Sequence, residues 1–210
     1  MTTAGTHRPT KAERKEAAQR LAAEQEARTR RAHVRRIALW VGALVVVGGL
    51  VTAGLLSARP TASEATGEAA PAFTLPASDG STVSLADFRG KPVVLYFSEG
   101  AGCDACIQQM AEIEKDQDFA KAGIAVLPIV MNSAAQINPE RERFDVKAPF
   151  LMDDGTVSKE YGTLGKGMHA GLPGHGFVLV GADGTQLWQG EYPSMWLAPA
   201  ELYKQVTSRL

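Results

Sequence analysis

An uncharged run of twenty residues, Ile37 to Leu56, restricts this chain more than any other feature; it reads IALWVGALVVVGGLVTAGLL. At 1.5 Å per residue, a helix of that length covers roughly 30 Å, the thickness of bilayer hydrocarbon. Its glycines would weaken a helix in water but are common in membrane helices. A fully buried core helix is the competing reading, and neither the length nor the purity of the run fits it. We expect one transmembrane helix at residues 37–56.

Charge is distributed unevenly around that run. The whole chain of 210 residues carries a formal charge of −1, which gives no support for nucleic acid or any partner selected by bulk charge. Residues 1–36 nevertheless hold ten Lys/Arg against four Asp/Glu, a net of +6, and the remainder has a net of −7. Arg28, Arg30, Arg31, Arg35 and Arg36 crowd the N-terminal flank, whereas Arg59 stands alone after the run. The positive-inside rule then predicts a single-pass protein of the cytoplasmic membrane, N-terminus in the cytoplasm and C-terminal domain outside. An uncleaved anchor fits better than a signal peptide. The apolar run is too long, and Leu56-Ser57-Ala58 is a poor cleavage site followed by Arg59-Pro60.

The other segments follow from composition. Residues 1–36 are rich in Ala, Glu, Arg and Lys and read as a basic, partly helical tail held near anionic lipid. Residues 57–71 are small and polar with prolines, which predicts a disordered linker spanning about 20 Å. Residues 72–210 suffice for one substantial core. Phe73–Leu75 and Thr82–Ser84 flank Asp79-Gly80, a hairpin signal, and the continuous apolar run Val93–Phe97 predicts a strand covered on both faces. Helical spacing runs from Cys103 to Gly123, with Ile107, Met110, Ala111 and Ile113 on one face. A β-rich run at Ile124–Met131 comes next. The order is completed by a helix near Ala134–Phe144, a strand at Phe150–Met152 and a helix near Val157–Tyr161. A hairpin of Phe177–Val180 and Gln186–Gly190 then precedes a last helix opened by Pro199. This order predicts an α/β domain with a mixed sheet between helices.

Two cysteines are too few for a disulfide scaffold or an all-cysteine zinc site. They stand as Cys103-Asp104-Ala105-Cys106, just past the buried strand and where a helix starts. Two intervening residues let the sulfurs approach disulfide distance. The helix N-terminus offers unpaired N–H groups and partial positive charge to a Cys103 thiolate, while Cys106, one turn in, is the more buried resolving thiol. A structural disulfide outside the cytoplasm normally closes a longer loop, so the pattern favours redox chemistry over metal binding or inert thiols. The helix end stabilises the thiolate by about 0.3–1 kcal/mol. Asp104 opposes it by roughly 0.5–2 kcal/mol at ~8 Å. That near-cancellation predicts a mild reductant, not a strong oxidant.

The segments AFTLPASDGSTVSLADFRGKPVVLYF, CDAC and GHGFVLVGADGTQLWQGEY together resemble the redoxin branch of the thioredoxin superfamily. With one N-terminal anchor, the chain is most similar to TlpA/ResA-type membrane-tethered thiol–disulfide oxidoreductases. The resemblance covers residues 71–210. It implies a thioredoxin-like fold with an N-terminal β-hairpin extension, Cys103 as attacking thiol, Cys106 as resolving thiol, and no cofactor or metal. It also implies a cis-proline facing the disulfide. Pro173 is the best match, although Gly174-His175-Gly176 intervene before Phe177. Gly102 stands where family members place Trp, which leaves that side of the sulfur open. The implied partners are protein thiols and disulfides outside the membrane, such as apocytochrome c cysteines during cytochrome c maturation or a copper-site protein. A membrane electron donor would re-reduce the pair.

Two other readings stay open. Peroxidases of the peroxiredoxin family share this fold and carry P-x-x-x-T-x-x-C; here Tyr96 and Gly100 occupy the proline and threonine positions. A copper- or zinc-binding delivery protein would use Cys103, Cys106 and His169 or His175, with Met168 as a soft ligand. Those histidines fall in a glycine-rich loop of a kind more often solvated. That loop, Gly162–Gly176, lacks the order of a phosphate-binding loop despite Lys166. Asp153-Asp154-Gly155 reads as a turn, Glu99 as a solvated acid, and Trp188, Tyr192 and Trp196 as packing residues.

Overall fold

The computed structural model describes residues 11–57, 60–64 and 67–210. They form two compact units that divide after Ser57. The first unit is one helix, α1 (Lys11–Ser57), whose portion Glu24–Leu56 is long and apolar enough to cross a membrane. The basic tail and the apolar run are thus one continuous helix from Lys11 onward. The expectation for residues 1–10 lies outside the described residues.

The second unit begins earlier than a disordered linker over 57–71 would allow. Strand β1 (Thr61–Glu64) pairs antiparallel with β8 (Gln186–Glu191), Thr61 opposite Glu191. Thr61, Ala62 and Ser63 remain exposed, so the backbone ladder holds the strand and no apolar alternation marks it in sequence. The hairpin expected next is present as β2 (Thr74–Pro76) and β3 (Thr82–Ser84). Within its turn, Asp79 Oδ1 accepts the Ser81 N–H at 2.9 Å.

The main sheet has the order β1-β8-β7-β4-β5-β6. Strands β4 (Val93–Phe97), β5 (Ala125–Val130) and β6 (Leu151–Met152) run parallel, and β7 (Gly176–Val180) lies antiparallel to β4. The helices around it are α2 (Asp104–Lys115), α3 (Gln117–Lys121), α4 (Ala134–Arg143), α5 (Thr156–Glu160) and α6 (Pro199–Thr207). This is the mixed α/β, thioredoxin-like arrangement expected from the sequence.

Strand β4 explains why the sheet is sandwiched. Val94 and Tyr96 pack into one cluster with Ile107, Met110, Ile113, Leu202 and Val206. Val93, Leu95 and Phe97 pack into another with Phe73, Leu75, Leu85, Val157 and Tyr161. Alternating side chains therefore find apolar cover on both faces, each large one contributing about 1.5–3 kcal/mol when fully buried. One boundary differs from expectation: the helical run from Cys103 breaks at Asp116. Its side chain accepts the Asp118 N–H at 2.9 Å and caps α3, competing locally with continuation of α2.

Candidate active site

Beyond Phe97 the chain turns through 98–102 and enters α2 with Cys103 at the N-cap. Gly100 is required in this turn. Its φ is +74°, and a Cβ there would lie 2.0 Å from Asn132 Oδ1. The same Asn132 oxygen accepts the Ala101 N–H at 2.9 Å, pinning the approach to the cysteines from the end of β5. Sequence reasoning missed Asn132, since it gains its role only through the parallel pairing of β4 and β5.

Cys103 and Cys106 form a disulfide with their Cα atoms 5.3 Å apart. Cys103 is 9% exposed and Cys106 is fully buried, the order expected for an attacking and a resolving sulfur. The helix start offers a Cys103 thiolate partial positive charge. Asp104 beside it is paired: Arg143 Nη1 donates to Asp104 Oδ2 at 3.1 Å, and Nη2 donates to Oδ1. The guanidinium holds the Asp104 carboxyl below its usual range. Weighing Asp104 alone against the helix end therefore omitted a counter-charge.

A buried polar chain lies beneath the first turn of α2. Tyr96 Oη donates to the Cys106 carbonyl at 2.9 Å and stands 3.2 Å from His175 Nδ1. A carbonyl only accepts, so this pairing assigns the proton of the second contact to His175 Nδ1–H. His175 is then neutral, and its buried Nε2 has no hydrogen-bond partner among the described residues. Burial pushes the imidazole down to about 3 and the Tyr96 phenol well up. His175 is thus a core residue, not the solvated loop histidine expected.

One loop packs on the cysteine pair and a second covers Glu99, and each is strapped down. Gln109, fully buried one turn past Cys106, donates Nε2–H to the Leu197 carbonyl at 2.8 Å. Its Oε1 accepts the Leu197 N–H at 2.7 Å. Met195, in that loop, joins Cys103 and Cys106 in a buried cluster. On the other loop, Glu99 is 2% exposed instead of solvated. Its Oε1 accepts the His169 N–H at 3.1 Å, and His169 Nδ1 lies 2.6 Å from Oε2. Gly167 passes so close that a Cβ would sit 2.3 Å from Glu99 Oε1. The glycine-rich loop is a strap over this carboxylate.

Pro173 does not match the expected cis-proline. Its peptide bond is trans, as are all those of the described residues. It forms a bridge with Leu164, and the following Gly174 N–H donates to Thr163 O at 2.9 Å, so the segment is tied back into its own loop. The metal-delivery reading finds no assembled ligand set. Glu99 holds His169, Tyr96 holds His175, and among the described residues no three His, Cys, Asp or Glu side chains converge. Asp153 is a buried anchor of a helix-opening turn, accepting the N–H groups of Val157 and Ser158. Trp188 and Tyr192 are buried packing residues, whereas Trp196 is 40% exposed.

The family model described as the AhpC/TSA family matches residues 66–185. A Mycobacterium tuberculosis protein named "Putative peroxiredoxin" is 34% identical over 124 residues, covering 56% of this chain and 79% of that protein. The crystal structure of peroxidoxin BcpB from the same organism superposes with a TM-score of 0.58 at 20% identity. That likeness of fold covers 70% of this chain and 96% of the other. The solution structure of a "putative protein disulfide isomerase" from Bacteroides thetaiotaomicron gives 0.53 at 25% identity, over 69% and 89%. These names lean toward peroxidases more than the sequence reading did. Matched over more than half its length and carrying a cysteine pair at a helix start, the chain belongs to the AhpC/TSA family and is a thiol-based oxidoreductase of the redoxin type.

Proposed function

We propose that Cys103 and Cys106 are the redox centre of a thiol peroxidase. The observation that carries this reading is the paired geometry: the more exposed sulfur at the N-cap of α2, its partner buried one turn in. Similarity to proteins named peroxiredoxins supports the choice of peroxide. The Cys103 thiolate attacks the terminal oxygen of a hydroperoxide, ROOH; the O–O bond breaks, the sulfur becomes a sulfenic acid, and RO⁻ leaves and takes a proton from water as ROH. The Cys106 thiol then attacks that sulfur, forming the disulfide and releasing water. Two electrons pass from the pair to the peroxide, and an external dithiol returns them.

A second reading, dithiol–disulfide exchange with exported proteins, is favoured by Gly100. The position where the peroxiredoxin motif has threonine has no room here for a side chain beside Asn132. In that reading Cys103 attacks a substrate disulfide and Cys106 releases the reduced protein. For either chemistry we propose that α1 anchors the chain with the N-terminus in the cytoplasm, and that a membrane electron donor re-reduces the pair. The apolar run and its arginine flank support this placement.

The deciding experiment mixes the reduced full-length protein with hydrogen peroxide, an alkyl hydroperoxide, or insulin as a protein disulfide. Peroxide should oxidise the pair roughly a hundredfold faster than a free thiol, and Cys103→Ser should abolish this. Oxidation at the free-thiol rate, with rapid reduction of insulin, would transfer the assignment to exchange.

A further inference from the structure

We propose that Tyr96, oriented by His175, is a positioning residue for closure of the cysteine pair: it clamps the Cys106 carbonyl, so the first turn of α2 stays set for the disulfide after the sulfurs part. The proposal rests on the reading of Cys103 and Cys106 as the redox centre. The clamp is built from rigid parts. Tyr96 lies on β4, which pairs with β5 on one side and β7 on the other. Its ring stacks on Phe177 with centroids 4.7 Å apart, and the His175 ring meets it edge-on at 5.0 Å. From that post Tyr96 Oη donates to the Cys106 carbonyl at 2.9 Å, and His175 Nδ1–H donates to Oη at 3.2 Å. Accepting one hydrogen bond makes the hydroxyl a stronger donor of the other.

The chemistry of the pair explains why such a network is kept in the core. His175 Nε2 is buried without a hydrogen-bond partner among the described residues, a cost that an apolar side chain would avoid. The peroxiredoxin motif has proline where Tyr96 stands, and proline has no hydroxyl to make the bond. What the hydroxyl holds is the carbonyl of the second cysteine itself. With the disulfide formed, the first turn of α2 is intact: Cys103 O accepts the Cys106 N–H at 3.0 Å and the Ile107 N–H at 3.3 Å. The sulfurs therefore join without unwinding the helix. A clamp that involves neither sulfur outlasts their separation and keeps Cys106 beside Cys103.

Closure is the step that gains. Once the peroxide has taken two electrons, Cys106 sulfur attacks the Cys103 sulfenic acid. The S–O bond breaks, and hydroxide leaves with the Cys106 proton as water. In the exchange reading the same sulfur attacks a mixed disulfide, and the substrate thiol leaves with that proton. Order already imposed by the clamp raises the effective concentration of Cys106 at the sulfur it attacks. Without the clamp the reduced turn relaxes, and closing the disulfide must order it again.

The test equilibrates full-length protein in detergent with reduced and oxidised glutathione or dithiothreitol, and counts free thiols by maleimide mass-tagging. Tyr96→Phe keeps the ring stacked on Phe177 and removes only the hydroxyl. Its equilibrium should shift about tenfold toward the dithiol, a potential about 30 mV less negative than that of wild type. His175→Leu should move the same way by a smaller factor. His175→Gln, which keeps a donor for Oη, should return toward wild type. A tyrosine that only supports the fold would lower the urea midpoints of oxidised and reduced protein equally and leave the potential unchanged. That result overturns the proposal, and so does a shift toward the disulfide. Wild type inert toward both peroxide and insulin would instead overturn the redox-centre reading, because the thiol equilibrium reports the placement of the sulfurs and not turnover.

Discussion

Arg143, on α4, holds the Asp104 carboxylate of the CDAC motif with two hydrogen bonds, Nη1 to Oδ2 at 3.1 Å and Nη2 to Oδ1. Its Nε also donates to Glu140 Oε2 at 2.9 Å, so the guanidinium is fixed from both sides. An anion adjacent to Cys103 would disfavour the thiolate, and the arginine offsets it.

Arg143→Ala should therefore raise the Cys103 thiol pKa and slow its reactions at neutral pH by about two- to fivefold. Asp104→Asn should shift the pKa the other way, and the double variant should lie near wild type. Because these groups are exposed, high salt should compress all the differences. The pH dependence of alkylation of the reduced pair measures this; one common Cys103 pKa across the series would refute it.

His175 predicts a pH dependence of stability. Its folded pKa, pushed down to about 3, lies below the ordinary 6.5. Below pH 6.5 the unfolded chain binds a proton that the folded chain refuses, so stability falls as pH drops from 6.5 toward 3 and is unaffected above that window. The full loss at the acid end is roughly 3–5 kcal/mol. His175→Gln keeps a polar partner for Tyr96 without titrating between those limits. Urea midpoints from neutral to acid pH should therefore fall less steeply for the variant; parallel curves would exclude His175 as the source.

The strand and helix order was legible because periodicity reports burial directly: β4 reads as five apolar residues and is buried throughout. The cysteine pair was legible for a similar reason, since its chemistry depends on local spacing and a helix start. What escaped depends on partners distant in sequence. Arg143 meets Asp104 across 39 residues, and Gln109 meets Leu197 across 88. Glu99 and His175 looked like solvated loop residues, because nothing local shows that Gly167 will cover one and Tyr96 will bind the other. Strand β1 escaped because Thr61, Ala62 and Ser63 stay exposed and carry no apolar pattern.

The strap over Glu99 gives a sterically defined test. A methyl group at residue 167 would lie 2.3 Å from Glu99 Oε1 and 2.9 Å from the Pro173 carbonyl, so the loop must shift. Gly167→Ala should cost about 1–3 kcal/mol, the usual range for overpacking. Proteolysis should begin within residues 162–176 earlier than in wild type. Glu99→Ala should expose the same cleavage sites by removing the acceptor of the His169 N–H. Unchanged urea midpoints and cleavage patterns in both variants would show that the loop is held by other contacts.

The proposed extracytoplasmic placement of the second unit can be tested with one reagent, because Cys103 and Cys106 are the only cysteines in the chain. The uncharged run at 37–56 is preceded by five arginines within nine residues and followed by Arg59 alone, the asymmetry on which the proposed cytoplasmic N-terminus rests. Intact cells, mildly reduced and treated with a membrane-impermeant maleimide, should label Cys103, whereas a cytoplasmic thiol protein used as control should remain unlabelled. Replacing Arg28, Arg30, Arg31, Arg35 and Arg36 by glutamine should weaken the bias and reduce the labelled fraction. The protein should also sediment with membranes and resist extraction by high salt, since an apolar span of this length is held by hydrocarbon burial and not by charge. Labelling only after the cells are permeabilised would place the cysteine pair in the cytoplasm and reverse the topology, and release by salt would remove the anchor.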